Sequence, residues 1–264
     1  KGNLCRCTGY RAIADALHGR ANVERVEGPS CGRPQRAPAA TRVVTGTEPY
    51  TLDTTVEGLL HVAVLGSPHT HARILSIDTS AAEALPGVHA VLTHRDAPAT
   101  AYSTARHELR EDDPDDTHLF DTVVRFRGQR VAAVVAESPG LAQQACGLIR
   151  VEYEELPFVL DPDEARSPGA PLLHAGKGPE ARIADPGRNI VAELHGSTGD
   201  VDAAVASAAA VVRGRWQTHR VQHTHLETHG AIGWIDDDGR LVIRSSTQGP
   251  FLVRDELCHV FGLD

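Results

Sequence analysis

The chain has 264 residues, of which 41% are hydrophobic and 4% aromatic, and its formal net charge is −9. This length suits about two domains with aliphatic cores, and the negative charge argues against nucleic acid or an anionic membrane surface as a partner. No apolar run approaches the ~20 residues of a membrane span. Five cysteines, odd in number and unevenly spread, do not match a secreted disulfide framework and favour a reducing, cytoplasmic compartment.

The first feature along the chain is a pair of cysteines, Cys5 and Cys7, one residue apart. This spacing strains a disulfide, whose Cα atoms lie about 4.4–6.8 Å apart, but two such thiolates can bind the irons of one cluster or a single ion. A cluster takes four ligands, so the others come from elsewhere or the chain is a fragment. The absence of methionine favours truncation at the N-terminus, and on that expectation a periplasmic location stays open.

The predicted elements continue with a helix at residues 8–18, whose apolar residues fall at helical spacing after Thr8 as N-cap. Residues 1–20 therefore form a first short piece. Residues 21–41 are rich in Gly, Pro, Arg and Glu and predict a surface linker, in which Cys31 is an incidental thiol.

Residues 42–158 predict a mixed α/β domain. Its predicted strands are 59–65, 73–77, 88–93, 123–126, 131–136 and 150–154, with helices at 79–85 and 138–148. They form two strand–helix–strand units with short connections. The acidic stretch 108–116 is predicted to be a solvated loop, and Cys146 a small core residue.

Residues 159–198 contain five prolines and predict an extended connector. Structure resumes in residues 199–264, as another piece of a domain. Its predicted elements are a helix at 203–209, strands at 210–216, 231–235 and 241–245, and a helix at 251–261 that buries Cys258. The turn at 236–239 predicts a hairpin between the last two strands.

His223, His225, Glu227 and His229 alternate along a stretch that could form a strand. That spacing would put four metal-ligand side chains on one face. The alternative is a scaffold role, since fifteen histidines in the chain make clustering by chance common.

Several stretches resemble the xanthine dehydrogenase/aldehyde oxidase family of molybdenum hydroxylases. The string Cys-Arg-Cys-Thr-Gly-Tyr-Arg at residues 5–11 is similar to the end of the family's second, helical [2Fe–2S] domain. Stretches at 60–74, 86–93, 127–136 and 151–157 resemble its α/β hammerhead domain. Gly199-Asp200-Val201, residues 223–227 and Ser246-Thr247-Gln248 resemble the opening of its molybdopterin-binding domain. The resemblance thus implies an α/β (α+β) fold in which a hammerhead domain is flanked by pieces of two others.

The resemblance also implies an activity. It implies hydroxylation of an aldehyde carbon, or of a carbon beside a heteroatom, with water as the oxygen source and electrons leaving through [2Fe–2S] clusters. Molybdopterin supplies the hydroxylation chemistry, and the protein orients and tunes it. The substrate would be a small aldehyde or heteroaromatic molecule.

The family's functional residues map onto few positions of this chain. Cys5 and Cys7 match two cluster ligands, and Cys7 matches the one beside the pterin. Gln248 matches a glutamine whose amide donates a hydrogen bond to a molybdenum oxygen, and Gly249 would let the backbone approach the cofactor closely. Glu227 matches a recurrent acid with no chemical role assigned, and a loop-tying role is one interpretation.

The resemblance further implies what partners to expect. The catalytic glutamate and the glycine-rich cofactor loop would lie beyond Asp264, so this chain alone would be inactive. The short linker leaves no room for a flavin domain, so any FAD would sit on a separate subunit. The expected partners are a flavin subunit or an iron–sulfur subunit, and the full protein is expected to be a homo-oligomer. Two alternatives remain: a xanthine or purine dehydrogenase subunit with a separate flavin subunit, or a non-catalytic fragment in electron transfer or assembly.

Overall fold

The structure is a computed structural model that describes residues 10–20, 31–32, 37–104, 112–222 and 224–263. The helices are α1 (Tyr10–Leu17), α2 (Ala40–Val44), α3 (Ser80–Glu83), α4 (Pro139–Cys146), α5 (Pro162–Ala165), α6 (Val201–Ser207) and α7 (Pro250–Phe261). The strands are β1 (His61–Gly66), β2 (Ala72–Asp78), β3 (Val88–Leu92), β4 (Val123–Val124), β5 (Arg130–Ala136), β6 (Arg150–Glu155), β7 (Ala231–Ile235) and β8 (Leu241–Ser245). Across these described ranges, no helix is both long and apolar enough to cross a membrane.

Contacts divide the chain into two units, and the larger holds residues 55–224 and 247–264. It contains two three-stranded antiparallel sheets, with strand orders β1–β5–β3 and β4–β2–β6. The mixed α/β fold predicted from the sequence is therefore confirmed. Each predicted strand–helix–strand unit places its two strands in different sheets, because β3 pairs with β5 and β2 pairs with β6.

The core of the larger unit is built from small aliphatic side chains. Ala132, Val134 and Ala136 on β5 pack with Ala142 and Ala145 on α4, and all five are fully buried. Methyl-sized side chains let a helix lie close to a sheet, so van der Waals contact is dense although aromatic residues are few. Cys146 belongs to the same cluster, as predicted, and its burial raises the pKa of the thiol.

Helix α4 lies within the helix predicted at residues 138–148. Ser138 is the N-cap, its Oγ accepts a hydrogen bond from Leu141 N at 3.2 Å, and Pro139 occupies the first turn. The cap satisfies a backbone donor that the helix cannot satisfy itself.

The smaller unit holds residues 1–54 and 225–246, of which part is described. Its centre is the β7–β8 hairpin, predicted from its turn and confirmed by five residue pairs in register. Asp236 Oδ1 accepts from the backbone N of Asp238 and Arg240 at 3.0 and 2.9 Å, which lowers the pKa of the carboxyl. Gly239 closes the turn at φ +78°, a conformation that suits glycine.

The predicted strand at residues 210–216 is wrong. The described residues from 208 to 222 form no strand and are exposed throughout. This stretch finds no neighbouring strand, and without a ladder partner the backbone groups are left to water.

Candidate functional site

The turn that follows β8 carries the two residues singled out from the sequence, Gln248 and Gly249. Gly249 is the N-cap of α7, with φ −120° and ψ 69°, and Pro250 is the first helical residue. Thr247 Oγ1 accepts a hydrogen bond from Gly249 N at 3.1 Å, so the backbone on both sides of Gln248 is held locally. Gly262, at φ 64°, ends the helix.

The Gln248 side chain is exposed, and it forms no hydrogen bond within the part of the chain that the structure describes. No side chain caps the start of α7, so this end of the 12-residue helix presents uncompensated positive potential beside the free amide. Together these groups are hydrogen-bond donors toward an oxygen atom of an anionic ligand.

Gly249 does not need glycine for its backbone angles, since φ −120° is open to other residues. Its space is tighter: a Cβ added there would lie 3.2 Å from Leu252 Cδ1 and 3.5 Å from Leu252 Cγ. The glycine therefore leaves the start of α7 free of a side chain on the side that faces Leu252.

The other end of α7 is held by a group that we name the α7 contact cluster: Ala101, Ser103, Asp115, Glu256 and His259. Glu256 Oε1 accepts from the Ser103 backbone N at 3.3 Å, and His259 Nε2 lies 3.0 Å from the Ala101 carbonyl oxygen. Ligand atoms of Asp115, Glu256 and His259 lie within 4.8 Å of one another.

The buried state of this acidic stretch corrects the sequence prediction. Residues 108–111 lie outside the described residues, but Asp113 and Asp115 are 2% and 8% exposed, so the predicted solvated loop is wrong for both. The Arg182 guanidinium lies 3.1 Å from Asp115 and offsets the desolvation of that carboxylate. No local pattern indicates this contact, because the partners are far apart in sequence.

The chemistry of the α7 contact cluster favours a structural role over a metal site. A carbonyl oxygen can only accept, so His259 Nε2 donates to Ala101 and is not available as a metal ligand through that atom. Asp115 already faces the positive charge of Arg182, and Glu256 already accepts a backbone hydrogen bond.

Glu227 holds a turn of the smaller unit. Its Oε1 accepts from Thr51 N at 2.9 Å, at the start of the 3₁₀ turn Thr51–Asp53. Hydrogen bonds from the backbone and side chain of Thr51 lower the pKa of the carboxyl. This contact ties one loop to another across 176 positions of sequence.

The predicted histidine face has no strand to support it. Described residues 224–230 form bends and irregular backbone, with Thr224 at φ 54°, and His223 lies outside the described residues. Of the His, Cys, Asp and Glu side chains that the structure describes, the one group close enough to hold a metal excludes His225, Glu227 and His229. Cys5 and Cys7 also lie outside the described residues, Cys31 is exposed and Cys258 is partly buried.

A buried basic site was missed by sequence reasoning. His174 is 9% exposed, and its burial, with the charges of Arg125 and Lys177, lowers its pKa to about 4. Arg125 Nε donates to the Leu173 carbonyl at 2.8 Å, and Arg125 Nη1 pairs with Asp121 at 2.7 Å. Nothing in the local pattern of the connector indicates that this histidine is buried.

Comparison with known proteins identifies the class. A family model described as "Aldehyde oxidase and xanthine dehydrogenase, a/b hammerhead domain" matches residues 45–157, and one described as "Molybdopterin cofactor-binding domain" matches residues 183–264. The two matches cover most of the chain, in the order in which the sequence patterns occur.

Individual relatives agree. The "Probable hypoxanthine oxidase XdhD" of Escherichia coli K12 is 34% identical over 250 residues, which cover 85% of this chain and 26% of that protein. The "Nicotinate dehydrogenase large molybdopterin subunit" of Eubacterium barkeri is 32% identical over 220 residues, covering 83% of this chain and 48% of that subunit.

Solved structures show the same likeness. CO dehydrogenase from Oligotropha carboxidovorans matches with a TM-score of 0.71 at 32% identity, over 87% of this chain and 29% of that one. Aldehyde oxidoreductase from Desulfovibrio gigas matches with a TM-score of 0.71 at 29% identity, over 99% and 30%.

These findings define an oxidoreductase class, the molybdopterin-dependent hydroxylases. The chain belongs to the xanthine dehydrogenase/aldehyde oxidase family of molybdenum hydroxylases. It spans about a quarter of the length of the first of its curated relatives.

The residues of the α7 turn fit the molybdenum cofactor that this family implies. The exposed Gln248 amide and the uncapped start of α7 are donors, and the cofactor is an oxygen-rich anion. An amide donates to such an oxygen without competing as a metal ligand.

Proposed function

We propose that this chain is part of a molybdenum-dependent hydroxylase that oxidises an aldehyde or an N-heterocycle, takes the oxygen from water and passes electrons to [2Fe–2S] clusters. The observation that carries the proposal is the free Gln248 amide at the uncapped start of α7, within a stretch matched to the molybdopterin-binding domain. When bound, the cofactor would supply the oxidation of the carbon.

The residues of this chain would orient the cofactor and polarise its oxygen atoms. The Gln248 amide would donate a hydrogen bond to an oxygen of the cofactor, where it stabilises negative charge and releases no proton. The N-terminus of α7 would add positive potential at the same place. Gly249 would keep the approach open, because a side chain there crowds Leu252.

The iron–sulfur part of the proposal depends on Cys5 and Cys7, two ligands of a [2Fe–2S] cluster completed by cysteines outside the given sequence. Electrons would leave the cofactor past Cys7. Any flavin would be carried by a separate subunit. The relative from Eubacterium barkeri, named as a large molybdopterin subunit, supports such a division between subunits. The relative named as a hypoxanthine oxidase favours an N-heterocycle as a candidate substrate besides an aldehyde.

The test begins with the protein expressed from its natural reading frame with its partner subunits. Molybdenum and iron per chain are measured, and xanthine and benzaldehyde are assayed with an artificial electron acceptor. We expect about one molybdenum per chain and turnover of one substrate class. A purified protein without molybdenum, or one that oxidises neither class, would contradict the proposal.

The role of Gln248 is tested by Gln248→Ala. We expect kcat/KM to fall by about 10- to 100-fold, because a hydrogen bond to the cofactor is lost. Gln143→Ala is the matched control, since Gln143 is exposed on α4 and its side chain makes no contact shown in the structure. Equal activity in the two variants would show that Gln248 has no role at the cofactor.

A further inference from the structure

We propose that Glu256 and His259 are positioning residues, which fix the direction of α7 and thereby the place of the Gln248–Gly249 turn. This inference rests on the proposed function of that turn. Both side chains belong to the α7 contact cluster: Glu256 lies in the middle of the helix, and His259 lies in its last turn.

The two residues lie three positions apart, and therefore on one face of α7. On that face Glu256 accepts from Ser103 N at 3.3 Å, and His259 Nε2 donates to the Ala101 carbonyl at 3.0 Å. Val260, 7% exposed, adds apolar burial beside them. The contacts bind the helix to one short loop at two points, which fixes its axis as one contact would not.

Asp115 and Arg182 support the loop side of this contact. Asp115 N donates to the Ala181 carbonyl at 2.9 Å, and Arg182 lies 3.1 Å from the Asp115 carboxylate. Tyr102, between the two loop residues, pairs with Thr117 through two backbone hydrogen bonds of 2.8 and 3.0 Å. The Tyr102 hydroxyl also accepts from Arg130 Nη2 at 2.6 Å. The loop is thus tied to β5 of the hammerhead core, which gives α7 a rigid support.

Helix geometry turns this support into positional control. Glu256 lies seven positions after Gly249, or about 10 Å at 1.5 Å per residue. A 10° tilt about Glu256 would move the turn by about 2 Å, and a misplacement of about 1 Å can reduce a rate by roughly 100-fold. The N-terminal half is held only in part, since Phe251 is 70% exposed and Arg254 pairs with the neighbouring Asp255, while Leu252 and Val253 are partly buried.

The test compares Glu256→Ala with the matched control Asp255→Ala in the holoenzyme. Asp255 is the adjacent carboxylate, exposed, and bonded to Arg254 of the same helix. We expect Glu256→Ala to lower kcat by about 10- to 100-fold with KM changed less than threefold and molybdenum content retained. Amide hydrogen exchange in residues 253–256, the first of which is bonded to the Gly249 carbonyl, should quicken by at least fivefold. Asp255→Ala should leave both close to the unsubstituted protein.

A conservative series separates positioning from simple loss of folding. Glu256→Gln keeps an oxygen acceptor for Ser103 N and should recover most of kcat, whereas Glu256→Asp withdraws the carboxylate by one methylene and should behave like a mild form of Glu256→Ala. If Glu256→Ala does not accumulate, Glu256→Asp gives the same comparison. Equal exchange and equal kcat in the Glu256 and Asp255 variants would overturn the inference.

The two proposals fail differently. Hydrogen exchange reports the contact of α7 whether or not molybdenum is bound, so a protein without molybdenum but with faster exchange in Glu256→Ala would refute the proposed function and leave the helix support intact. A protein with molybdenum and turnover, but with no effect of Glu256→Ala, would refute the positioning role alone.

Discussion

Among single residues, His174 shows how burial changes ionisation. Its ring is buried within the connector, and the charges of Arg125 and Lys177 act on it, so protonation adds a third positive charge to a poorly hydrated place. Asp116 and Asp121 oppose this effect but do not reverse it, and the pKa falls from 6.5 to about 4.

The lowered pKa of His174 predicts that the free energy of unfolding decreases in acid, a part of the pH profile that we call the acid limb. Between pH 6.5 and about 4 the unfolded chain binds a proton at this residue while the folded chain does not. The unfolded state then holds more protons, so the free energy of unfolding decreases as the pH falls through this window. His174→Gln should flatten that limb when urea unfolding is measured from pH 7 to pH 4.

The control for this prediction is His219→Gln, because His219 is exposed and makes no side-chain contact that the structure shows among described residues. Its acid limb should match that of the unsubstituted protein. Parallel limbs for all three proteins would show that His174 does not carry the pH dependence.

Residue types with a local role were predictable, and residues with distant partners were not. Cys146 is predicted in the core because a free cysteine on a helix behaves as a small apolar residue. Segments distant in sequence bury His174, Asp113 and Asp115. The local sequence around them is charged and polar, which predicts a solvated loop. Whether Gln248 and Gly249 meet a cofactor stays a prediction.

At the scale of elements, start and stop signals act within a few residues. The predicted helix at 138–148 contains α4, whose start Ser138 caps, and the hairpin turn predicts β7 and β8, because caps and turns satisfy their own backbone groups. Strand pairing depends on partners elsewhere in the chain. The local pattern therefore could not show that each strand–helix–strand unit contributes one strand to each sheet, or that residues 210–216 form no strand.

Helix α4 offers a test of the cap. Ser138→Ala should lower the free energy of unfolding by about 1 kcal/mol, because the Leu141 amide loses its acceptor. Ser138→Asp should keep most of the stability, since a carboxylate also caps the positive end of a helix. The measurement is the urea midpoint at constant slope, and Gln143→Ala on the exposed face serves as the control. An unchanged midpoint in Ser138→Ala would show that the cap contributes nothing.

At the scale of the whole molecule, the smaller unit is assembled from segments distant in sequence. Residues up to 54 and residues 225–246 belong to it, and Glu227 is the polar contact that joins the turn at Thr51 to the stretch before β7. Leu52 packs at Gly230, where an added Cβ would lie 2.7 Å from Leu52 Cδ2. The sequence patterns followed the chain in order and therefore could not show this pairing.

Glu227→Ala should release the Thr51 amide. We expect its hydrogen exchange to quicken by roughly 3- to 10-fold, because the carboxylate acceptor is lost. Since the bonds lower the pKa of Glu227, its contribution to stability is present above the ordinary glutamate pKa and is lost as the pH falls through the folded value. Glu57→Ala, at an exposed carboxylate without a contact in the described structure, is the control. Unchanged exchange of the Thr51 amide in Glu227→Ala would show that the Glu227 carboxylate does not protect it.

The contact between Thr51 and Glu227 also sets an order of events during synthesis. Its two partners are separated by 176 residues, which a ribosome adds in roughly 9–35 s at about 5–20 residues per second. The intervening hammerhead core is complete long before Glu227 leaves the exit tunnel. The segment around Thr51 must therefore wait, solvated and open to proteases, until the second half of its own unit is translated.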